Sequence, residues 1–113
     1  MNKPIIAVIG DSVIEDNSEK YKTAFAAGKA LVDNGFRVQS GGLKGVMRAA
    51  FAGAKASEKR SDCDTIAILP SFNVTTANEY TDIIIPTGLD MYRNGIVANA
   101  RAVVVVGGGA GTL

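Results

Sequence analysis

The chain has 113 residues, 47% of them hydrophobic, and 12 basic residues nearly balance 11 acidic ones for a net charge of +1. That length makes one small domain around one core, the apolar fraction excludes intrinsic disorder, and the even charge, without a basic run, excludes nucleic-acid binding driven by bulk charge. A single cysteine, Cys63, excludes a disulfide within the chain and points to a reducing, cytoplasmic setting, and with no histidine neither a Ser-His-Asp or Cys-His mechanism nor a common zinc site can be assembled.

Residues 5–9 form a continuous, partly β-branched apolar run, the pattern of a strand buried on both faces of a parallel sheet. Gly10-Asp11-Ser12 ends it. Ser18 is placed to cap a helix, with Glu19 in the first turn where the dipole favours an acid. Tyr21, Phe25, Gly28 and Val32 fall on one helical stripe, and Asn34-Gly35 closes it. Residues 36–39 read as a second strand and Ser40-Gly41-Gly42-Leu43-Lys44-Gly45 as a tight loop. Val46, Met47, Ala50, Phe51 and Ala54 mark a second helix, with Met47 and Phe51 in its core face. Residues 65–69 and 83–85 are short strands, each stopped by a proline. Asp90 is expected to cap a third helix over residues 91–100. Residues 102–106 are the most β-branched run and lead into Gly107-Gly108-Gly109-Ala110-Gly111. Strands alternating with helices predict an α/β fold, an open parallel sheet with flanking helices. No apolar run reaches the roughly 20 residues of a membrane span, so no membrane partner is expected.

In such a sheet, ligands bind beyond the carboxyl ends of the strands. Three loops fall there: Gly10-Asp11-Ser12, Gly41 to Gly45, and Gly107 to Thr112. Glycine lets backbone N–H groups approach an anion closely, and a helix starting just after adds its positive dipole end. Three such loops on one rim point to a small phosphate-bearing ligand. Neither the P-loop pattern nor the Gly-x-Gly-x-x-Gly dinucleotide fingerprint is present. Arg93 falls in the first turn of the predicted third helix, where a cation is disfavoured by the dipole. Its planar fork suits phosphate or carboxylate. Pairing with Asp90 is the plainer alternative. Lys44 is either a further rim cation or an ordinary surface lysine. Asp11, Glu15 and Asp16 cluster in the first loop, but capping or solvation explains them better than a metal, and no metal site is assigned.

In order, Val8-Ile9-Gly10-Asp11-Ser12, Ser40 to Met47, Ala67-Ile68-Leu69-Pro70, Ala77-Asn78-Glu79-Tyr80, Thr87-Gly88, Arg93-Asn94 and Gly107 to Leu113 resemble the Rossmann-like proteins long misnamed lysine decarboxylases. That superfamily includes the Lonely Guy phosphoribohydrolases and a branch related to molybdenum cofactor carriers. Arg93-Asn94, where the hydrolases have Arg-Lys, and Gly107, where they usually have proline, point to the carrier-like branch. The resemblance implies a nucleotide or phosphate site lined by Gly10, Ser12, Gly41, Gly42, Arg93, Gly108, Gly109, Gly111 and Thr112. It also implies homo-oligomers.

The reading that follows is a carrier or sensor that holds a phosphorylated ligand, a nucleotide or the molybdenum cofactor, without turning it over. A second reading is a nucleoside monophosphate phosphoribohydrolase, in which Arg93 is catalytic. That mechanism needs a glutamate shortly after the Gly-Thr step, and Leu113 comes first, so the single domain over residues 1–113 is expected to be incomplete. A third is an oligomeric scaffold.

Overall fold

A computed structural model describes residues 3–107. Five parallel strands, β1 (Ile5–Gly10), β2 (Arg37–Ser40), β3 (Thr65–Leu69), β4 (Ile83–Pro86) and β5 (Ala102–Val106), form one sheet in the order β4-β3-β2-β1-β5. The fold is Rossmann-like. The chain order reverses between β1 and β5, and Gly10 pairs with Val106 at the carboxyl end of that switch point, where a crevice for a ligand opens.

Two helices, α1 (Glu19–Asp33) and α2 (Val46–Ala56), cover one face. The Ser18 hydroxyl accepts the Tyr21 N–H at 3.2 Å, and Asn34 closes α1 before Gly35, whose φ is +86°. Val8, Val38, Ala67, Leu69 and Val106 from the sheet meet Ala24, Val32, Ala50, Phe51 and Ala54 from the helices. Phe51 is fully buried, and burying such a ring contributes about 2–3 kcal/mol.

The opposite face carries Ile5, Ile9, Ile66, Ile68 and Ile83 and has thinner cover. Here the structure corrects the sequence reading. There is no helix over residues 91–100. A 3₁₀ turn, Asp90–Arg93, runs into a four-residue helix, α3 (Asn94–Val97). Asp90 caps nothing: its φ is +53°, and its N–H donates to the Pro70 carbonyl at 2.8 Å. The helix stops there: the Asn99 N–H donates to Ile96 and the Ala100 N–H to Ala98, neither in α-helical register, and the Arg101 N–H donates to Ile5 at 2.9 Å as β5 begins. On this same face Val103 and Val105 of the edge strand β5 remain 40% and 44% exposed.

The amino ends of the strands are pinned by Asp64. Its buried carboxylate accepts from Lys3 Nζ at 3.1 Å, from the Ser61 hydroxyl at 2.9 Å and from the Ser61 N–H. Burial acts to raise the Asp64 pKa, but these hydrogen bonds and the Lys3 charge outweigh it, and the folded value lies below the ordinary one. An unfolded Asp titrates near about 3.9. The stabilisation is therefore complete above that pH and is lost as pH falls through the lower folded value. Asp64→Asn is expected to cost about 2 kcal/mol at pH 7. Urea midpoints followed from pH 6 to pH 2 should fall less steeply in the variant, and parallel curves would refute the assignment.

Candidate functional site

The site is built where β1 and β2 end. Beyond β2 the chain turns through Ser40, Gly41 and Gly42, and the Ser40 hydroxyl accepts the Gly42 N–H at 3.0 Å. Gly45 precedes α2 with φ +69° and packs against the backbone of Asp11 and Ser12, so close that a Cβ would lie 2.3 Å from the Asp11 carbonyl oxygen. Only glycine satisfies both conditions. The Val46 N–H then donates to that Asp11 carbonyl at 2.9 Å, tying the two loops together. From the far side Asn78 grips the same loop: its N–H donates to Gly42 O at 2.9 Å and its side-chain amide to Leu43 O at 3.0 Å. The amino end of α2 has no side-chain cap and no acid in its first turn. Its dipole makes that end electropositive.

Arg93 comes in over this loop from the 3₁₀ turn and is only 9% exposed. Its Nη1 donates to the Asn94 side-chain oxygen, and its Nη2 lies beside Gly41, where a Cβ would come within 2.7 Å of it. Its Nε is buried with no hydrogen-bond partner. Desolvation pushes the guanidinium's pKa below its ordinary value, with the Asp90 charge acting the other way. At neutral pH the group is still a cation. A buried cation with a spare donor is costly unless something anionic satisfies it.

Gly10, Ser12, Gly41 and Arg93 line one cavity of about 450 Å³. Gly42 does not: it is turned toward β3, where a Cβ would meet Ala67 at 2.3 Å. Gly108, Gly109, Gly111 and Thr112 lie outside the described residues. Lys44 is exposed and lines a neighbouring cavity of about 370 Å³ with Tyr21 and Arg48, sharing the Ser12 wall. Asp11 pairs with Lys20 at 2.5 Å, and Asp16 lies 4.0 Å from Arg48. Among the described residues no group of three or more His, Cys, Asp or Glu could hold a metal.

Three contributors escaped sequence reasoning. Met47, read as core, also lines the cavity, with its sulfur beside Gly41. Asn94 fills the space next to Arg93. Asn78, part of the resemblance but given no role, holds the loop after β2. Helical spacing placed Met47 inward but carried no sign that its own neighbour would be a cavity. The walls thus combine a guanidinium, a hydroxyl and a helix end with the apolar Val8, Ile9 and Val97. They can hold an anionic group and, beside it, a flat apolar body.

An open parallel sheet with a cation buried at its switch-point rim defines the class, a Rossmann-like α/β protein. The chain matches the SLOG cluster4 family over residues 3–113 and belongs to it. It is 36% identical over 109 residues to an uncharacterised protein of Archaeoglobus fulgidus, covering 96% of this chain and 68% of that one. Among solved structures it is similar to the molybdenum cofactor binding protein of Rippkaea orientalis (37% identity, TM-score 0.85, 99% of this chain and 67% of that one). It is also similar to the molybdenum cofactor carrier protein of Chlamydomonas reinhardtii (34% identity, TM-score 0.80, 98% and 66%). The chain therefore spans about two thirds of the length of these relatives. The carrier-like branch expected from Arg93-Asn94 and Gly107 is where these matches fall.

Proposed function

We propose that this protein is a carrier for a phosphorylated pterin cofactor of the molybdenum cofactor type, held at the sheet rim and released unchanged. The observation that carries the reading is the buried Arg93 guanidinium, with its unpartnered Nε, set against Gly41 near the amino end of α2. The likeness to molybdenum cofactor binding and carrier proteins supports the choice of cargo. In this reading Arg93 and the Ser12 hydroxyl hold the phosphate with backbone N–H groups of the 41–47 turn. Val8, Ile9, Met47 and Val97 take the flat ring. Gly108, Gly109, Gly111 and Thr112 are assigned to the same site through the resemblance. Homo-oligomeric assembly in the cytoplasm belongs to the same reading.

The test is anaerobic titration of the protein with isolated molybdenum cofactor, followed by transfer to a cofactor-free acceptor apoenzyme. Saturable heat and recovered acceptor activity are expected. AMP is incubated in parallel and the products are separated by chromatography. Free adenine appearing with time would replace the carrier with a phosphoribohydrolase, and a folded sample that takes up no cofactor would end the proposal.

Gly41→Ala gives a local check. Its Cβ would sit 2.7 Å from both Arg93 Nη2 and Met47 Sδ. Both are ends of flexible side chains, so they move aside, and the cost falls on the position of the guanidinium more than on the fold. Cofactor binding about tenfold weaker, with a nearly unchanged melting temperature, is expected from paired calorimetry and thermal melts.

A further inference from the structure

Gln39 is a buried polar residue, 6% exposed, on the sheet face that also carries Ile66 and Ile68 and against which Val97 of α3 packs. Its side-chain amide donates to the Val97 carbonyl at 3.0 Å and to the Ile96 carbonyl at 3.2 Å. Ile96 also receives the Asn99 N–H, and Val97 follows Arg93 by four residues. An amide buried in an apolar face stays there only when its donors are satisfied, and here the partners are the last carbonyls of α3. A four-residue helix cannot hold its own position by packing alone.

We infer that Gln39 is the positioning residue for Arg93: by tethering the end of α3 to β2, it fixes how far the guanidinium stands from Gly41. The strand that carries the tether is the strand that runs, two residues later, into Gly41. One short rigid path therefore sets both sides of the gap. This inference rests on the carrier reading for its functional meaning, but the geometry it asserts can be measured without a ligand.

The variants are Gln39→Met, which keeps the volume and loses the donors, and Gln39→Glu, which keeps the shape and donates only when protonated. Ile68→Val, in the same buried cluster as Val97 but with no hydrogen bond to α3 from its side chain, controls for general loosening of that face. The ligand-free readout is hydrogen exchange of the Arg93 Nε–H by nitrogen-15 NMR. Gln39→Met should speed that exchange at least tenfold while Ile68→Val leaves it near the wild-type rate. The binding readout uses molybdenum cofactor and AMP as separate probes. Affinity for whichever probe the wild type binds should fall about tenfold in Gln39→Met.

For Gln39→Glu, the ratio of its affinity and exchange rate to wild type is followed from pH 8 to pH 5. The ionised carboxylate faces two carbonyls and should behave like methionine or worse. The acid form donates an O–H to Val97 and should return toward wild type. Arg93 and Asp90 on the tethered segment, Arg37 on the same strand face and Asp11 across the cavity are present in both proteins, so the ratio isolates residue 39. Unchanged exchange in Gln39→Met, an equal effect from Ile68→Val, or a Gln39→Glu ratio flat with pH would each overturn the inference. If the wild type binds neither probe, the carrier reading fails while the exchange measurements still decide what Gln39 does.

Discussion

Replacing Arg93 by alanine is expected to weaken binding of the phosphorylated cofactor by about 1.5–3 kcal/mol, roughly 10- to 150-fold, without weakening the fold. The two halves of that statement have one cause. Folding already strips water from this guanidinium, and its Nε receives nothing in return within the protein. The desolvation cost is carried by the folded state, and in the carrier reading it is the phosphate of the cargo that would offset it. Removing the charge therefore removes the offset and the cost together. Arg93→Met, which keeps much of the volume, should melt no lower than wild type and bind as poorly as the alanine variant. Arg93→Lys should recover only part of the affinity, because a point charge on a flexible stem cannot present the planar fork that reaches past Asn94 and Gly41 together. Calorimetric titrations paired with thermal melts decide it. An alanine variant that binds normally would remove Arg93 from the site. One that is strongly destabilised would show that the guanidinium has a structural partner instead.

Much of this site was legible in the sequence. The glycines after β1 and β2 sit at strand ends, and strand ends of a parallel sheet share one rim by topology alone. That logic brought Gly10, Ser12 and Gly41 together with Arg93 in one cavity. It failed for Gly42, because it cannot say which of two adjacent glycines faces a cavity and which faces a neighbouring strand. Gly42, with φ +76°, turns to Ala67 of β3, a tertiary contact that local spacing does not encode. Arg93 was singled out for a wrong local reason. The helix dipole that was expected to disfavour it belongs to a helix that does not form. What marks the residue is its burial, a tertiary property.

The elements divide the same way. Residues 65–69 and 102–106 were read with the observed bounds, because a β-branched run between breakers has few alternatives. α1 was legible at both ends through Ser18 and Asn34-Gly35. The segment after β4 was not. Asp90 as a cap was read as starting a helix over residues 91–100, yet Met91, Tyr92 and Ile96 are all exposed, Tyr92 by 86%, and give such a helix no face to bury. Long-range hydrogen bonds to Pro70, Gln39 and Ile5 shape that segment, and none of them is encoded by local spacing.

The largest loss of stability is expected from Gly28→Ala and Gly53→Ala, two conservative exchanges on helix surfaces that meet. A Cβ at Gly28 would lie 1.9 Å from the Ala50 carbonyl oxygen, and one at Gly53 would lie 1.9 Å from the Phe25 carbonyl oxygen. α1 and α2 thus touch backbone to backbone at two reciprocal points. Alanine is the better helix former by about 1 kcal/mol, so propensity alone predicts stabilisation. A carbonyl cannot swing aside as a side chain does, however, and the helices must separate. That opens the core around Ala24, Val32, Ala50 and Ala54. A net cost of about 3 kcal/mol per substitution is expected, at the upper end for overpacking, which lowers Tm by roughly 12 °C in a domain of this size. The double variant discriminates the mechanism. If one methyl pushes the whole helix pair apart, the second finds room already made, and the pair should cost clearly less than the sum of the singles. Additive losses in urea unfolding would mean that each contact yields locally and that the two helices do not move as rigid bodies.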